Sequence, residues 1–203
     1  MSSRRLIAML PLLMIACSSG GSGAPSGASS GKPSAQSKED AALAAAKSAA
    51  GKLGTETRTK LVDALNNGGP ANAVTVCSAE AQAIAERVAK ETGASVGRSS
   101  LKLRNVKDAP PGWVQTWLVA QGDKKADQTQ GIEGVFDSPV GRVARFLKPI
   151  GIDGTCLSCH GDPDSISEPV KTVLASKYPE DKATGYKAGD LRGALWAEVP
   201  VGR

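Results

Sequence analysis

Apolar and small residues in the first half of the folded region predict two helices. An alanine-rich stretch, 38–67, follows Ser37, whose spacing to Asp40 resembles the capping box that opens a helix. The run 66–69 is typical of a helix end, where a left-handed residue closes the last turn. Pro70 then suits the first turn of another helix. The pattern therefore predicts two long helices in succession.

The second helix carries an apolar stripe and ends near Gly93. Its apolar positions advance by three or four residues, which places them along one face. These positions are Val74, Cys77, Ala81, Ile84 and Val88. Because Cys77 lies within the stripe, we expect its thiol to face inward.

After Gly93 the pattern changes to the alternation typical of strands. Residues 101–104 alternate like a strand half exposed to water. Residues 132–137 and 142–148 flank the turn-forming run 138–141, which predicts a hairpin. The last strand is the clearest. One of its faces contains Leu191, Gly193, Leu195, Ala197, Val199 and Val201, and the other contains Arg192, Trp196 and Glu198.

A short helix is predicted from Pro110 and Pro111 onward. Trp113 and Trp117 are four residues apart and share one face of this helix, which favours core packing over a recognition role. The chain thus has long helices first and mostly hairpin-type strands afterwards. This order predicts an α+β fold.

The N-terminus has the pattern of an export signal. Two arginines precede the apolar run 6–16, which is too short to span a bilayer in the usual way. We therefore interpret residues 1–16 as a signal peptide. The junction Ala16-Cys17 resembles the lipobox of bacterial lipoproteins, in which the cysteine becomes the lipidated first residue. The alternative is a signal cleaved elsewhere, with Cys17 free or lost.

Residues 17–38 form a predicted tether between this anchor and a folded domain, 39–203. After Cys17 they are almost entirely Ser, Gly, Ala, Pro and Lys, which cannot bury enough apolar surface to fold. A flexible segment of this length reaches roughly 25 Å. We expect a periplasm-facing lipoprotein of a bacterial cell envelope. Ser18, where some lipoproteins retained at the inner membrane have Asp, favours the outer membrane.

Composition and charge exclude several classes of protein. Removing 1–16 takes two of the 25 basic residues and none of the 20 acidic ones, which leaves a net charge of +3. This mild charge, with no basic block, does not favour nucleic-acid binding. The chain has only seven aromatic residues, so a bulky cofactor could fill part of its core. Its single histidine, His160, excludes zinc and copper sites that need several imidazoles.

The chemistry is concentrated in the run Cys156-Leu157-Ser158-Cys159-His160. Two thiols three residues apart can add to the two vinyl groups of one haem, and the adjacent imidazole then lies beneath the iron. A thioredoxin-like dithiol needs a βαβ setting and no histidine, and a zinc site lacks further ligands. The motif therefore predicts one covalent haem c, bound by Cys156 and Cys159 with His160 as iron ligand.

The residues alone leave the second axial ligand of the iron open. All three methionines lie in the signal peptide, and no second histidine exists. The usual ligands are therefore absent from the mature chain, which leaves Cys77, a lysine or tyrosine, or an open position. Cys77 could equally be a small core residue.

The chain resembles a family of single-haem c-type proteins with a PAS-like fold, long described only as a domain of unknown function and typified by a cyanobacterial photosystem-associated protein. The resemblance covers about residues 40–203. It rests on Val76-Cys77-Ser78, Gly97 to Asn105, Pro111-Gly112-Trp113, Pro149-Ile150, Cys156 to Gly161, and Tyr178 to Ala194. It implies a PAS-like antiparallel sheet with long N-terminal helices, and iron ligation by His160 and Cys77. The run 106–110 replaces the more usual Asn-Pro-x-Asn-x-Pro of that family.

Two arginines within the resembling segments, Arg98 and Arg104, are candidate partners of the haem propionates. Solvated surface charge is the alternative for either residue. We expect a non-enzymatic protein for electron transfer or redox sensing, with an unidentified redox partner. The alternatives are a haem-based gas sensor, in which Cys77 leaves the iron, and a peroxidase-like enzyme, for which the chain offers no distal histidine.

Overall fold

The computed structural model describes residues 34–202, which form an α+β fold. Helices and strands follow in the order α1 (Ala35–Thr92), β1 (Ser95–Ser99), α2 (Gly112–Gln121), β2 (Ile132–Ser138), β3 (Gly141–Gly151), α3 (Leu157–His160), α4 (Glu168–Lys177) and β4 (Leu191–Pro200). Short 3-10 helices lie at Val106–Asp108, Ala126–Gln128 and Pro163–Ser165. The predicted class, with long N-terminal helices and an antiparallel sheet, is confirmed.

Helix α1 is a hairpin of two arms that meet at Gly68 and Gly69. Gly69 has a φ of 69°, in the left-handed region that favours glycine, and Pro70 follows it in the next turn. The first arm (35–67) and the second arm (70–92) are joined by charge pairs: Lys60 with Glu80, Arg87 with Glu56, and Lys52 with Glu91. These pairs run in antiparallel order, so the two predicted helices lie side by side.

The first arm begins earlier than the sequence predicted. Ser34 is the N-cap, and its hydroxyl accepts a hydrogen bond from the Ser37 amide at 3.1 Å. Ser37 is therefore not the cap, and residues 35–38, assigned to the tether, are helical. Ser34 can accept the Ser37 amide because an N-cap side chain usually binds the amide two or three residues after it.

The sheet has the order β1-β4-β3-β2, with every neighbouring pair antiparallel. The predicted hairpin of β2 and β3 and the predicted last strand are both present. One face of the sheet packs on the first arm, whose alanines allow close approach to Ala197 and Leu195. The opposite face packs on α2 through Trp117 and Leu147. Trp113, also on α2, meets Trp196 of β4 edge to face, at 5.9 Å between ring centroids.

Two strand predictions were wrong. Residues 101–104 form bends, and the strand at this point is β1, which ends at Ser99. The hydroxyl of Ser100 accepts the Lys102 amide at 3.1 Å, which turns the chain away from the sheet. Leu191 packs with α2 and not with Leu195, because the register between β3 and β4 shifts at Ile150.

Among residues 34–202, no helix combines the length and the apolar composition needed to cross a bilayer.

Candidate functional site

The cysteine–histidine motif forms a single helical turn, α3, between two glycines. The amides of Cys159 and His160 donate to the Cys156 carbonyl at 3.2 and 2.9 Å. The carboxylate of Asp153, just before this turn, accepts both the Cys156 amide, at 3.1 Å, and the Cys156 thiol, at 3.2 Å. Gly161 ends the turn, and a Cβ there would lie 2.6 Å from the Leu157 carbonyl. Residues three and four apart in one turn share a face, so both thiols and the imidazole lie together.

His160 is fixed by the loop that precedes β4. Its Nδ1 donates to the Ala183 carbonyl at 2.7 Å, which leaves Nε2 as the unprotonated ring nitrogen. The Tyr186 amide donates to the His160 carbonyl at 3.0 Å, and the Gly185 amide donates to the Gly161 carbonyl at 2.8 Å. Holding one ring nitrogen on a carbonyl is the usual way in which proteins orient a metal-ligating histidine.

Arg104 is the centre of a buried polar network around this turn. Its Nε and Nη2 each lie 3.0 Å from Oδ2 of Asp181, and both side chains are nearly buried. Its Nη2 also donates to the carbonyls of Cys159, at 2.5 Å, and Ala183, at 3.4 Å. Its Nη1 lies 3.5 Å from His160 Nε2. Arg104 therefore connects the segment that follows β1 to the motif turn and to the loop that precedes β4.

Cys77 lies on the second arm between two apolar clusters. Toward the start of this arm, Val74 packs with Cys159 and with Val170 of α4. Toward its end, Ile84 packs against Leu53 of the first arm. Cys77 itself is half-buried and forms no disulfide. The predicted inward-facing stripe is present, and Cys77 lies one helical turn from Val74, whose apolar cluster includes Cys159.

Burial is the main influence on the pKa values of the three thiols. It raises the pKa of Cys77, an effect that the positive charges of Arg98 and Arg104 oppose. Burial likewise raises the pKa of Cys159, where Arg104 opposes the effect and an ionised Cys77 would add to it. Burial also raises the pKa of Cys156. All three are therefore held as neutral thiols in the protein alone.

The imidazole is held neutral as well. Burial, together with the nearby charges of Arg104 and Arg192, lowers the pKa of His160 to about 3. A neutral imidazole is the form that binds metals. The same charges that keep it neutral make this part of the molecule attractive to anions.

The predicted site residues thus come together, with one exception. Cys156, Cys159 and His160 share the motif turn, and Arg104 contacts it directly. The charge of Arg98 acts on both Cys77 and His160. Cys17 lies outside the described residues. Within 34–202 Arg98 forms no salt bridge, whereas Arg104 is bound to Asp181. The role of either arginine toward a propionate stays a prediction.

The residues fit a covalently attached haem. Two reduced thiols lie on one helical turn, and the neutral imidazole beside them has its Nδ1 already occupied. Within the part of the chain that the structure describes, no group of three or more His, Cys, Asp or Glu side chains is placed to hold a metal ion. The donor set therefore suits one haem edge and one iron ligand better than a multidentate metal site.

Sequence reasoning missed four residues that shape the site. Asp153 accepts the Cys156 amide and thiol, Asp181 binds Arg104, and Ala183 accepts from His160. Tyr186 places its ring edge to face with the imidazole, at 6.3 Å. The Asp-Gly pair at 153–154 is a turn signal that could have indicated the Asp153 contact. The other contacts join residues distant in sequence, and no local pattern predicts them.

Comparison with known proteins gives one family and one related structure. The family model described as Tll0287-like matches residues 30–200. The crystal structure of the cyanobacterial heme-protein Tll0287 is similar to this chain, at 26% identity and a TM-score of 0.49, over 63% of this chain and 73% of that one. The comparison with curated proteins found no match. The family match spans α1, the sheet and the motif turn.

Proposed function

This chain belongs to the Tll0287-like family, and we propose that it is an exported monohaem protein for electron transfer or redox sensing. In this proposal Cys156 and Cys159 bind one haem c covalently and His160 ligates its iron. The observation that carries the proposal is the motif turn, which presents two free thiols beside a neutral imidazole held through Nδ1. When bound, the haem supplies a centre that accepts or gives up one electron.

Cys77 would be the second residue, after His160, to bind the haem iron. It lies one helical turn from Val74, whose apolar cluster includes Cys159, and the sequence after residue 16 has no methionine and no second histidine. Burial raises the pKa of its thiol, but a bound iron charge favours the thiolate, and Arg98 and Arg104 act in the same direction. An anionic ligand stabilises iron(III) over iron(II), so the potential is lower than with a histidine–methionine pair.

The ligation proposal is tested with Cys77→Ala and Cys77→Met. We expect a low-spin thiolate signature in the paramagnetic resonance spectrum of the wild-type ferric protein, and we expect both variants to lose it. Redox titration should show a higher potential for Cys77→Met. A wild-type spectrum without thiolate character, or potentials equal in all three proteins, would assign Cys77 to the core only.

Two other haem functions are separated by a visible spectrum of the purified protein, taken with and without reductant and carbon monoxide. A gas sensor requires Cys77 to leave the reduced iron, so carbon monoxide would shift the spectrum of the reduced form. A peroxidase-like enzyme requires an open position and acid–base groups in the ferric form. We propose that the ferric protein has no open position.

We also propose that Cys17 is acylated and that the chain is held at the periplasmic side of a bacterial membrane. The apolar run that ends at Ala16, and the Ser- and Gly-rich segment after Cys17, support this proposal. Membrane fractionation and the mass of the N-terminal peptide test it. Cys17→Ser should release the protein into the soluble periplasmic fraction, and an unmodified wild-type peptide would refute the anchor.

A further inference from the structure

A groove with a predominantly basic lining lies beside the motif turn. Its volume is about 440 Å³, and five basic side chains line it: Lys102, Lys124, Lys125, Lys187 and Arg192. Two carboxylates also line it, of which Asp190 is paired with Lys125. Four cations therefore face one remaining carboxylate, that of Asp123. We call this feature the basic groove.

The positive charge of the basic groove has little compensation. Within residues 34–202, the side chains of Lys102, Lys124, Lys187 and Arg192 form no salt bridge. The three lysines are exposed, and Arg192 is partly buried at the start of β4. A concave surface lined by one sign of charge concentrates its field and attracts partners of opposite charge.

Tyr186 connects the basic groove to the imidazole of the motif. Its ring is 8% exposed and lies between two cations, with Lys102 Nζ at 4.9 Å and Arg192 Cζ at 5.5 Å from the ring centroid. The same ring meets His160 edge to face at 6.3 Å, with an angle of 83° between the rings. One aromatic side chain thus contacts both the groove wall and the proposed iron ligand.

The lining also favours a protein over a small free anion. Leu101 is 54% exposed and lies in the lining of the groove, next to Lys102. Leu101 shares the lining of the groove with exposed lysines, and an apolar side chain beside a charged rim is a feature of protein interfaces. A free anion would use the lysines and gain nothing from the leucine.

We infer that the basic groove is the docking surface for a one-electron redox protein with an acidic surface. This inference rests on the proposed haem function. With the haem bound, one electron would pass between the haem iron and the partner's centre, so that one centre would be oxidised by one electron and the other reduced by one. No bond forms or breaks, and no proton is transferred. The groove positions the partner next to Tyr186, and the lysines accelerate the encounter.

The test uses the haem-loaded protein and charge reversal at the groove. Lys124→Glu and Lys187→Glu, made singly and together, remove rim cations without touching Tyr186, and Lys90→Glu is the charge-matched control for each single variant. Lys90 is an exposed lysine of the second arm, roughly 20 Å along the helix from Cys77. Oxidation of the reduced protein is followed with anionic hexacyanoferrate(III) and with cationic tris(phenanthroline)cobalt(III), each at low and high ionic strength.

We expect the double variant to react roughly tenfold more slowly with the anionic complex at low ionic strength and faster with the cationic complex, and high salt should abolish both effects. Association of an acidic [2Fe–2S] ferredoxin, measured optically on a surface, should weaken in parallel. Binding of redox-inert hexacyanocobaltate(III), measured by calorimetry, should weaken too and reports the groove without electron transfer. The control should match the wild type in all three measurements.

The possible contrary results distinguish failure of the docking inference from failure of the proposed haem function. Equal rates for the double variant and the control would overturn the inference. Loss of hexacyanocobaltate binding with unchanged ferredoxin association would also overturn it and assign the groove to small anions. A purified protein without a haem spectrum would instead refute the proposed function, so the two failures are distinguishable.

Discussion

Replacing Asp181 with alanine should destabilise the protein strongly, because it leaves the Arg104 guanidinium charged and unpaired in a nearly buried position. The side chains of Arg104 and Asp181 are only 13% and 11% exposed. Asp181 accepts one hydrogen bond from Arg104 Nε at 3.0 Å and one from the Ala183 amide at 2.8 Å, and Arg104 Nη2 lies 3.0 Å from the same carboxylate as an ion pair. Breaking such a buried pair from one side costs about 3–5 kcal/mol, a large share of a typical domain's stability.

The assay is urea unfolding of the haem-loaded protein, followed by far-ultraviolet circular dichroism. A loss of this size lowers the unfolding midpoint by at least about 1 M. Glu168→Ala is the control, because its pair with Lys171 is exposed and such pairs contribute about 0–1 kcal/mol. The double replacement Arg104→Met with Asp181→Leu removes both charges and should be less destabilised than Asp181→Ala. If Asp181→Ala unfolds with the same midpoint as Glu168→Ala, the network does not support the motif turn.

Two further predictions test the packing and the electrostatics around the site. Leu53→Ala should lower the free energy of unfolding by about 2–5 kcal/mol, measured by heat or urea, because Leu53 is 1% exposed between the two arms and β4. Leu61→Ala, at a position that is 37% exposed, is the control and should lower it by less than half as much. Burial raises the pKa of Asp108 although Arg98 opposes it, so its ionisation is unfavourable in the folded state and stability falls as the pH rises through that raised pKa. Asp108→Asn keeps an acceptor for Gln82, and the stability of this variant should no longer decrease over that pH range. Identical curves of stability against pH for the variant and the wild type would contradict this prediction.

Long repeating patterns allowed most of the fold to be predicted from sequence. The two arms, the β2–β3 hairpin and β4 have clear helical or alternating periods, and the structure contains all of them. Strand β1 was missed because Ser95-Val96-Gly97-Arg98-Ser99 has little apolar content of its own. It is held by pairing with β4, where the Trp196 ring lies over Gly97, so close that an added Cβ would lie 2.6 Å from it. A strand that is held by tertiary contacts in this way has no local sequence pattern from which it could be predicted.

The candidate site likewise has a local part, which the sequence predicts, and a part formed by long-range contacts, which it does not. The motif is local, so its two thiols and imidazole could be assigned from spacing alone. The partner of Arg104 is 77 residues away, and that of His160 Nδ1 is 23 residues away. These distances explain why Arg104 was assigned only as a propionate partner, although the structure also binds it to Asp181. Tyr186 was missed for the same reason.

The mass of the protein, exported by a cell that can attach haem c, tests the central claim most directly. We predict that the intact wild-type chain carries the mass of one haem, that acid–acetone extraction does not remove it, and that Cys156→Ala with Cys159→Ala abolishes it. A chain without haem, a haem released by acid–acetone, or an unchanged haem content in the double variant would contradict covalent attachment at this motif.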